Sequence, residues 1–206
     1  MPKKLKIFCP ALEEEALKQF NDCCSKDFVI QAALMPDAHT GYVAPIGAVI
    51  KTKRAVVPAW VGYDIGCGMI AVLISDKKAE QILVQEKARQ LFNQVNRDIP
   101  MGAGERGVIP GNMRDGCYLV EGLGNDDFLC SSSHGAGRQM SRTQARKKVK
   151  LEDFQEVMEG IVAPICRKTI DESPFAYKDV SEVMKLQKDS VKIIKRLKPI
   201  INWKGF

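Results

Sequence analysis

The stretch Ser133-His134-Gly135-Ala136-Gly137-Arg138 places a histidine, two glycines and an arginine side by side. Glycines let the backbone turn tightly and present main-chain amides to an anion, and the arginine supplies positive charge beside them. Basic residues recur at Arg142 and Arg146, which predicts a helix whose positive dipole end points at the same place. A free imidazole is mostly neutral at pH 7 and is a competent nucleophile. The stretch therefore predicts a phosphate-binding loop with a histidine that attacks phosphorus.

The composition around this stretch is that of a folded protein. The chain has 206 residues, 45% of them hydrophobic, which is enough to bury a core and excludes disorder as the main interpretation. Its formal net charge is +6 and its pI is about 8.9, which favours an anionic partner such as RNA without deciding it.

Cysteine and histidine usage narrows the class of protein further. The chain has seven cysteines and two histidines, with no Cys-x-x-Cys pair, so a four-ligand zinc site has little support. An odd cysteine count and the lack of a recognisable secretory leader favour reduced thiols and a cytoplasmic location. No apolar run approaches the roughly 18 residues of a membrane-spanning helix, so we expect a protein without a membrane partner.

Short apolar runs and amphipathic stretches alternate along the chain. Strands are predicted at 5–8, 28–35, 45–50, 55–57, 69–74, 117–120 and from 191 towards 203. Helices are predicted at 12–24, 77–95, 141–149 and 154–162, with a further short helix after an N-cap at Asp179. A loop is predicted at 36–41, and helix is excluded at 99–116, where glycine and proline are frequent. The pattern predicts an α+β fold of mixed short-strand sheets with flanking helices, in one domain over 1–206.

Three further motifs accompany the histidine stretch. They are Asp64-Ile65-Gly66-Cys67-Gly68, Pro110-Gly111-Asn112-Met113 and the terminal Trp203-Lys204-Gly205-Phe206. In this combination the sequence resembles the RtcB family of RNA ligases, from 35 to 69 and again from 107 to the C-terminus. Members of that family join an RNA 3′-phosphate or 2′,3′-cyclic phosphate end to a 5′-hydroxyl end through a guanylylated histidine. The resemblance implies an RtcB-like fold, GTP and Mn²⁺ as cofactors, and RNA as substrate.

The resemblance also implies a role for each residue that matches a family motif. His134 carries the guanylyl group, Asp64 and Cys67 are ligands of Mn²⁺, Lys204 reads guanine and Tyr177 lies near the base. Asn112 and Cys117 stand where the family more often has serine. The remaining residues that the resemblance assigns to GTP are Pro110, Gly111, Met113, Gly135, Ala136 and Gly137.

From the residues alone, other interpretations stay open. Asp64 and Cys67 together suit a borderline divalent ion, but an aspartate also forms turns and a cysteine also packs as a small buried residue. Arg138, Arg142 and Arg146 recur at four-residue spacing, which predicts either a helical stripe for RNA phosphates or a solvated helix face. We expect His39 to be structural, with its ring satisfied by Asp37 or by backbone.

The chain also departs from the family pattern. The other family histidines have no counterpart, and an early family phrase at Ile99-Pro100-Met101-Gly102 runs directly into a late one, which predicts an internal deletion near 99–106. The alternative function is therefore a shortened pseudoenzyme that binds GTP or RNA ends, or that regulates a full-length ligase or works with an accessory protein. A third interpretation, an inactive deletion product, predicts that the chain lacks a cooperative thermal transition.

Overall fold

The computed structural model describes residues 4–55, 57–60 and 102–202. These ranges contain four α-helices and two three-stranded sheets. The strands are β1 (Lys4–Ile7), β2 (Val29–His39), β3 (Ile46–Thr52), β4 (Arg106–Pro110), β5 (Cys117–Gly122) and β6 (Val191–Leu197). The helices are α1 (Glu14–Cys24), α2 (Arg142–Lys148), α3 (Leu151–Val157) and α4 (Val180–Leu186), with single 3₁₀ turns at Pro58–Trp60, Asp126–Phe128, Ile170–Glu172 and Pro174–Ala176.

The first sheet has β2 at its centre, with β1 parallel on one side and β3 antiparallel on the other. Its residues alternate between two faces, and both faces of β2 are largely buried. On one face, Ala32 and Leu34 pack against Phe20 and Cys24 of α1. On the other, Met35 belongs to a separate cluster that draws in residues from the 126–128 turn. The carboxyl-terminal half of β2 is therefore held in the interior.

The second sheet has the order β4-β5-β6 and is antiparallel throughout. Ile109, Tyr118 and Val120 on its inner face form a cluster with Val180 of α4 and with Ala136. The histidine stretch thus packs into the core of this sheet through its central alanine.

Three contacts join the region of the first sheet to the segments that connect the elements of the second. The rings of Phe8 and Phe128 stack with their centroids 3.6 Å apart. The Nζ of Lys178 donates to the Ala38 carbonyl at 2.5 Å. The remaining contact joins the backbone N–H of Asp37 to Ser133 Oγ at 3.4 Å. Residues from distant parts of the chain therefore meet at the end of β2.

The α+β prediction is confirmed, as are most predicted elements within the described ranges. β2 is longer than predicted, because it continues through the expected loop at 36–41 as far as His39. Its pairing with β3 is interrupted between Leu34 and His39, so Pro36, which has no N–H to donate, falls where the ladder is broken. The predicted strand at 55–57 is wrong for the residues that are described. β4 forms within 99–116, and the described residues of that range contain no helix, as predicted.

Some predictions fall on residues that the structure does not describe. These are the strand at 69–74 and the helix at 77–95, and the internal deletion near 99–106 also stays a prediction. Within the described ranges, no helix combines the length and the apolar character that a membrane span requires.

Candidate functional site

His134 lies at the surface directly above a buried carboxylate. Its Nδ1 is 3.5 Å from Oδ2 of Asp37, the His134 side chain is 69% exposed, and that of Asp37 is fully buried. The preceding residue fixes this position: the Ser133 N–H donates to Gln187 Oε1 at 2.8 Å, while its hydroxyl accepts from the Asp37 N–H. The imidazole is therefore held over Asp37 and open to solvent on its other side.

The carboxylate of Asp37 has no hydrogen-bond partner for either oxygen within the described part of the chain. A buried carboxylate is costly unless a proton donor or a charge satisfies it, and Nδ1 of His134 is the nearby group that can do so. A proton on Nδ1 leaves the lone pair on Nε2, the nitrogen on the far side of the ring. The pair therefore favours the tautomer in which an exposed imidazole nitrogen acts as a nucleophile.

Asp37 was missed as a functional residue in the sequence. It lies in Pro36-Asp37-Ala38-His39, which reads as a turn, and nothing local indicates that its side chain meets a residue so far along the chain. His39 has the predicted structural role, because its Nδ1 bonds to the Asp37 carbonyl at 2.9 Å. Burial is the main cause that lowers the pKa of His39, which favours its neutral form.

The glycines of the histidine stretch serve close packing rather than an open cradle. Gly135, Ala136 and Gly137 are all buried, so the prediction that they expose their amides at a loop mouth is wrong. Gly137 has φ +74°, and a Cβ there would lie 2.2 Å from the Asp37 carbonyl oxygen. A Cβ at Gly135 would lie 3.3 Å from the Pro110 carbonyl oxygen. Glycine at 137 thus brings the loop backbone against β2 and places His134 over Asp37.

The predicted helix dipole at His134 is also wrong. α2 begins at Arg142, and its N-cap is Ser141, whose hydroxyl accepts from the Gln144 N–H while the Gln144 side chain accepts from the Ser141 N–H. This capping box satisfies the first turn locally. Arg138 is not on the helix but pairs with Tyr177 in an isolated β-bridge. The dipole of α2 therefore has no part in the site.

A cavity of about 400 Å³ lies beside the histidine stretch. It brings together two of the residues predicted to bind GTP, Asn112 and Tyr177, and it is joined to the stretch by a bond from the Lys178 N–H to the Gly137 carbonyl. Asn112 organises its own turn, since its Oδ1 accepts from the Arg114 N–H at 2.9 Å. The other lining residues are Arg114, Asp115, Gln139, Pro174, Phe175, Lys178, Asp179 and Ser181.

The other predicted GTP-binding residues lie outside the cavity lining. Met113 is 1% exposed and packs against Phe154. Cys117 is buried, which raises the pKa of its thiol, and it pairs with Pro110 between β4 and β5. Gly111 is packed against Val180. The side chains of Met113 and Cys117 thus have structural roles, and the contact of this turn with GTP stays a prediction.

The hydroxyl of Tyr177 both donates and accepts a hydrogen bond. It donates to Glu172 and accepts from Nη1 of Arg138 at 3.1 Å. Burial and the bond to Glu172 together raise the pKa of Tyr177 well above its usual value. The Arg138 guanidinium carbon lies 4.9 Å from the ring centroid. Tyr177 is therefore a rigid wall of the cavity.

The three arginines predicted as an RNA stripe converge on two acidic residues instead. Asp171 Oδ2 accepts from Arg142 at 2.9 Å, its Oδ1 lies 3.3 Å from Nε of Arg146, and its carbonyl accepts from Arg138 at 2.5 Å. Glu172 adds a bond from Arg142 at 2.7 Å. Arg138 is largely buried, whereas Arg142 and Arg146 are more than half exposed. The prediction that the three arginines share one helical face is therefore wrong. Their contact with RNA stays a prediction.

The predicted metal ligands Asp64 and Cys67 lie outside the described residues, as does Lys204. Within the described ranges, no three histidine, cysteine or acidic side chains come together in a group that could hold a metal ion. The six cysteines described there are free thiols, as expected for reduced cysteines.

Comparison with known proteins gives one consistent family. The model of the tRNA-splicing ligase RtcB family matches residues 19–108 and 101–205. RNA-splicing ligase RtcB1 of Escherichia coli is 36% identical over 66% of this chain, and RNA-splicing ligase RtcB of Escherichia coli K12 is 44% identical over 50% of it. The tRNA-splicing ligase RtcB of Nanoarchaeum equitans is 33% identical over 64% of the chain.

The matched region is only part of each relative. The alignments cover 36%, 25% and 30% of these three proteins respectively, so the chain spans about a third of their length or less. The family model nevertheless matches most of the chain, including β2 with Asp37 and the loop with His134. On this evidence the chain belongs to the RtcB family.

Proposed function

We propose that the chain is a GTP-dependent RNA ligase of the RtcB type. It joins RNA 3′-phosphate or 2′,3′-cyclic phosphate ends to 5′-hydroxyl ends through a GMP-histidine intermediate on His134. Family membership supports the reaction class, and the relatives named above are RNA-splicing ligases. The single structural observation that carries the proposal is the exposed imidazole of His134 paired with the buried carboxylate of Asp37, whose oxygens have no hydrogen-bond partner among the described residues.

The first step follows from this geometry. Nε2 of His134 attacks the α-phosphorus of GTP, an N–P bond forms, the bond to the bridging oxygen breaks, and pyrophosphate leaves. The imidazole becomes positively charged, and the carboxylate of Asp37 beside Nδ1–H stabilises that charge. The buried carboxylate therefore contributes more to the charged state than to the resting one, which is the condition for lowering a barrier.

Two further displacements complete the reaction. At a 2′,3′-cyclic end, water first adds to the phosphorus and the bond to the 2′-oxygen breaks, which leaves a 3′-phosphate and a 2′-hydroxyl. An oxygen of the RNA 3′-phosphate then attacks the phosphorus on His134, so GMP moves to the RNA end and the imidazole is restored. The 5′-hydroxyl of the second RNA end then attacks the 3′-phosphorus, a phosphodiester bond forms, and GMP leaves.

The other predicted site residues would bind GTP or RNA. Asn112 and Tyr177 line the cavity that would take the guanosine part of GTP. Pro110, Gly111 and Gly135 to Gly137 would contact the nucleotide through their backbone. The exposed guanidinium groups of Arg142 and Arg146 would contact RNA phosphates, with Arg138 holding the loop. Lys204 would read guanine.

Asp64 and Cys67 would hold Mn²⁺, because a carboxylate with a thiolate is a donor set that suits a borderline divalent ion. When bound, the ion would polarise phosphoryl oxygens and stabilise the leaving group.

The test is labelling of the protein with GTP that carries a radioactive α-phosphate, in the presence of Mn²⁺. We expect label on the wild-type chain that survives alkali and is released by acid, as a phosphoramidate should be. His134→Ala should remove the label, whereas His39→Ala, at the structural histidine, should retain it. No labelling of a folded wild-type chain at millimolar Mn²⁺ would contradict the proposal.

The second candidate is a pseudoenzyme that binds GTP or RNA ends, or regulates a full-length ligase, without ligating. It is favoured by the presence of only two histidines in the chain, because a metal site for phosphoryl transfer usually recruits several imidazoles and two ligands hold Mn²⁺ weakly. A chain that binds GTP in equilibrium dialysis but takes no covalent label would support this candidate.

A further inference from the structure

Three exposed cations lie on the outer face of the second sheet. Lys192 pairs in register with Glu121, which pairs in turn with Arg106, so these residues share one face across three strands. Lys195 lies opposite Leu119 on the same face. Here Arg106, Lys192 and Lys195 are called the basic face.

The basic face is distinct from the face that carries the nucleotide site. Side chains alternate along a strand, so Tyr118 and Val120, which flank Leu119, point to the inner face. That inner face packs against Ala136 of the histidine stretch. The basic face is therefore on the reverse side of the sheet, and a ligand bound there does not compete with GTP.

The cations of the basic face are exposed and are not neutralised. All three residues are exposed, and none makes an ion pair with a carboxylate of the described residues, Glu121 included. Arg142 and Arg146, by contrast, form ion pairs with Asp171. The second sheet thus presents exposed cations on β4 and β6, in addition to the basic residues of α2.

The spacing of the basic face suits an extended polyanion. Adjacent strands lie about 4.8 Å apart, so Arg106 and Lys192 on the two outer strands stand roughly 10 Å apart at the backbone. Glu121 lies in register between Arg106 and Lys192, and long side chains from both cations can extend past it to successive phosphates of a single strand. Val108 and Leu119, in the neighbouring row with Lys195, offer apolar contact. An acidic peptide added as a strand would contact only one edge of the sheet.

We propose that the basic face binds the phosphate backbone of single-stranded RNA at a site separate from His134. The inference rests on the proposed function for the identity of the ligand, and it goes beyond that function in assigning a second contact surface. The basic face holds the body of the RNA while the RNA end reaches His134. The contribution of the basic face to binding is electrostatic and independent of RNA sequence.

The test compares two double variants that remove the same charge. Lys192→Gln with Lys195→Gln removes two cations of the basic face, and Lys18→Gln with Lys53→Gln removes two exposed lysines elsewhere. The probe is a fluorescent single-stranded RNA of about 20 nucleotides, and the dissociation constant is measured against KCl concentration. Loss of two phosphate contacts should lower the slope of log K against log salt by about 1.4 and weaken binding roughly tenfold at low salt. The control pair should stay within about twofold of wild type.

The outcomes separate this inference from the proposed function. Equal binding and equal salt slopes for the two double variants would overturn the inference, as would displacement of RNA by polyglutamate as readily as by unlabelled RNA. All variants should take label from GTP at the wild-type rate, because none touches the nucleotide site. A wild-type chain that labels normally but binds no RNA would overturn the basic face while leaving guanylylation intact. Loss of labelling in the wild type would contradict the proposed function instead.

Discussion

The carboxylate of Asp37 is the residue-scale feature on which the candidate site depends. It is buried, unpartnered apart from the nearby imidazole, and charged at neutral pH only at a cost in solvation. We therefore expect the Asp37 carboxylate to orient the imidazole of His134 rather than to stabilise the fold.

Asp37→Asn tests that expectation. The amide keeps the shape of the side chain but can donate to Nδ1, which favours the wrong tautomer of His134, so the rate of GTP labelling should fall by about 10²- to 10⁴-fold. The thermal midpoint should stay close to that of wild type, because the substitution also removes the desolvation cost of a buried charge. A normal labelling rate in this variant would show that Asp37 does not orient the histidine.

Gly137→Ala tests the close approach of the loop to β2. The added Cβ would lie 2.2 Å from the Asp37 carbonyl oxygen and the residue has φ +74°, so we expect a loss of about 3 kcal/mol in the free energy of unfolding. Gly104→Ala is the matched control, since its φ is +81° but its Cβ would meet nothing within 4 Å. That control should lose only about 1 kcal/mol, from backbone strain alone. Equal losses in urea unfolding would contradict the packing argument.

At the scale of elements, Asp171 and Glu172 join α2 to the 170–176 segment. Asp171 is 2% exposed, and burial alone would raise the pKa of its carboxyl. The hydrogen bonds from Arg142 and Arg146 outweigh burial and hold that pKa below its ordinary value. The acidic pair was missed in the sequence because Ile170-Asp171-Glu172 carries no local sign that arginines will converge on it.

Asp171→Asn should therefore cost stability in a pH-dependent manner. A carboxyl whose folded pKa is depressed adds stability above its unfolded pKa of about 3.9, and that stability is lost as pH falls through the folded value. At pH 7 we expect the variant to lose about 1 to 2 kcal/mol, because Asp171 loses its charged hydrogen bonds while Arg142 and Arg146, both more than half exposed, stay solvated. The difference between variant and wild type should shrink as pH falls below about 4 in urea unfolding experiments. A difference that stays constant with pH would show that the charge of Asp171 is not what stabilises this contact.

At the scale of the whole molecule, the two sheets are held together by a few long-range contacts. Lys178 makes several of these contacts, because its Nζ also approaches the Pro36 carbonyl at 3.4 Å and the Cys9 sulfur at 3.4 Å. These contacts tie the 177–179 segment to β2 and predict that the two sheets unfold as one unit.

Lys178→Met tests this coupling. It removes the ammonium donor of the Ala38 carbonyl and leaves only the weak donor Cys9 Sγ at 3.9 Å, so the free energy of unfolding should fall by about 1 to 3 kcal/mol. The thermal midpoint should fall by roughly 2 to 4 °C for each kcal/mol. Lys188→Met, at an exposed lysine, should leave the midpoint unchanged. Both variants should melt in a single transition. Two separate transitions in calorimetry would contradict the one-domain prediction.

The sequence was sufficient for whatever depends on neighbours in the chain. Hydrophobic periodicity predicted α1, β5 and the α+β class, and a capping residue predicted the start of α4 at Asp179, whose side chain accepts from the Ser181 N–H. The motif around His134 led to the family that the comparisons show. Such features are local, because caps, turns and side-chain periodicity act over a few residues.

Tertiary structure alone decided what lies beside His134 and which cations share the outer face of the second sheet. Asp37 meets the imidazole only because β2 runs on past Pro36 and Gly137 lets the loop touch it. The arginines that look like one helical stripe are divided, because Arg138 lies outside α2 and all three turn to Asp171. The cations of β4 and β6 share a face only through strand register. Long-range pairing leaves no local signature, since the energy that fixes it comes from burying groups that are distant in sequence.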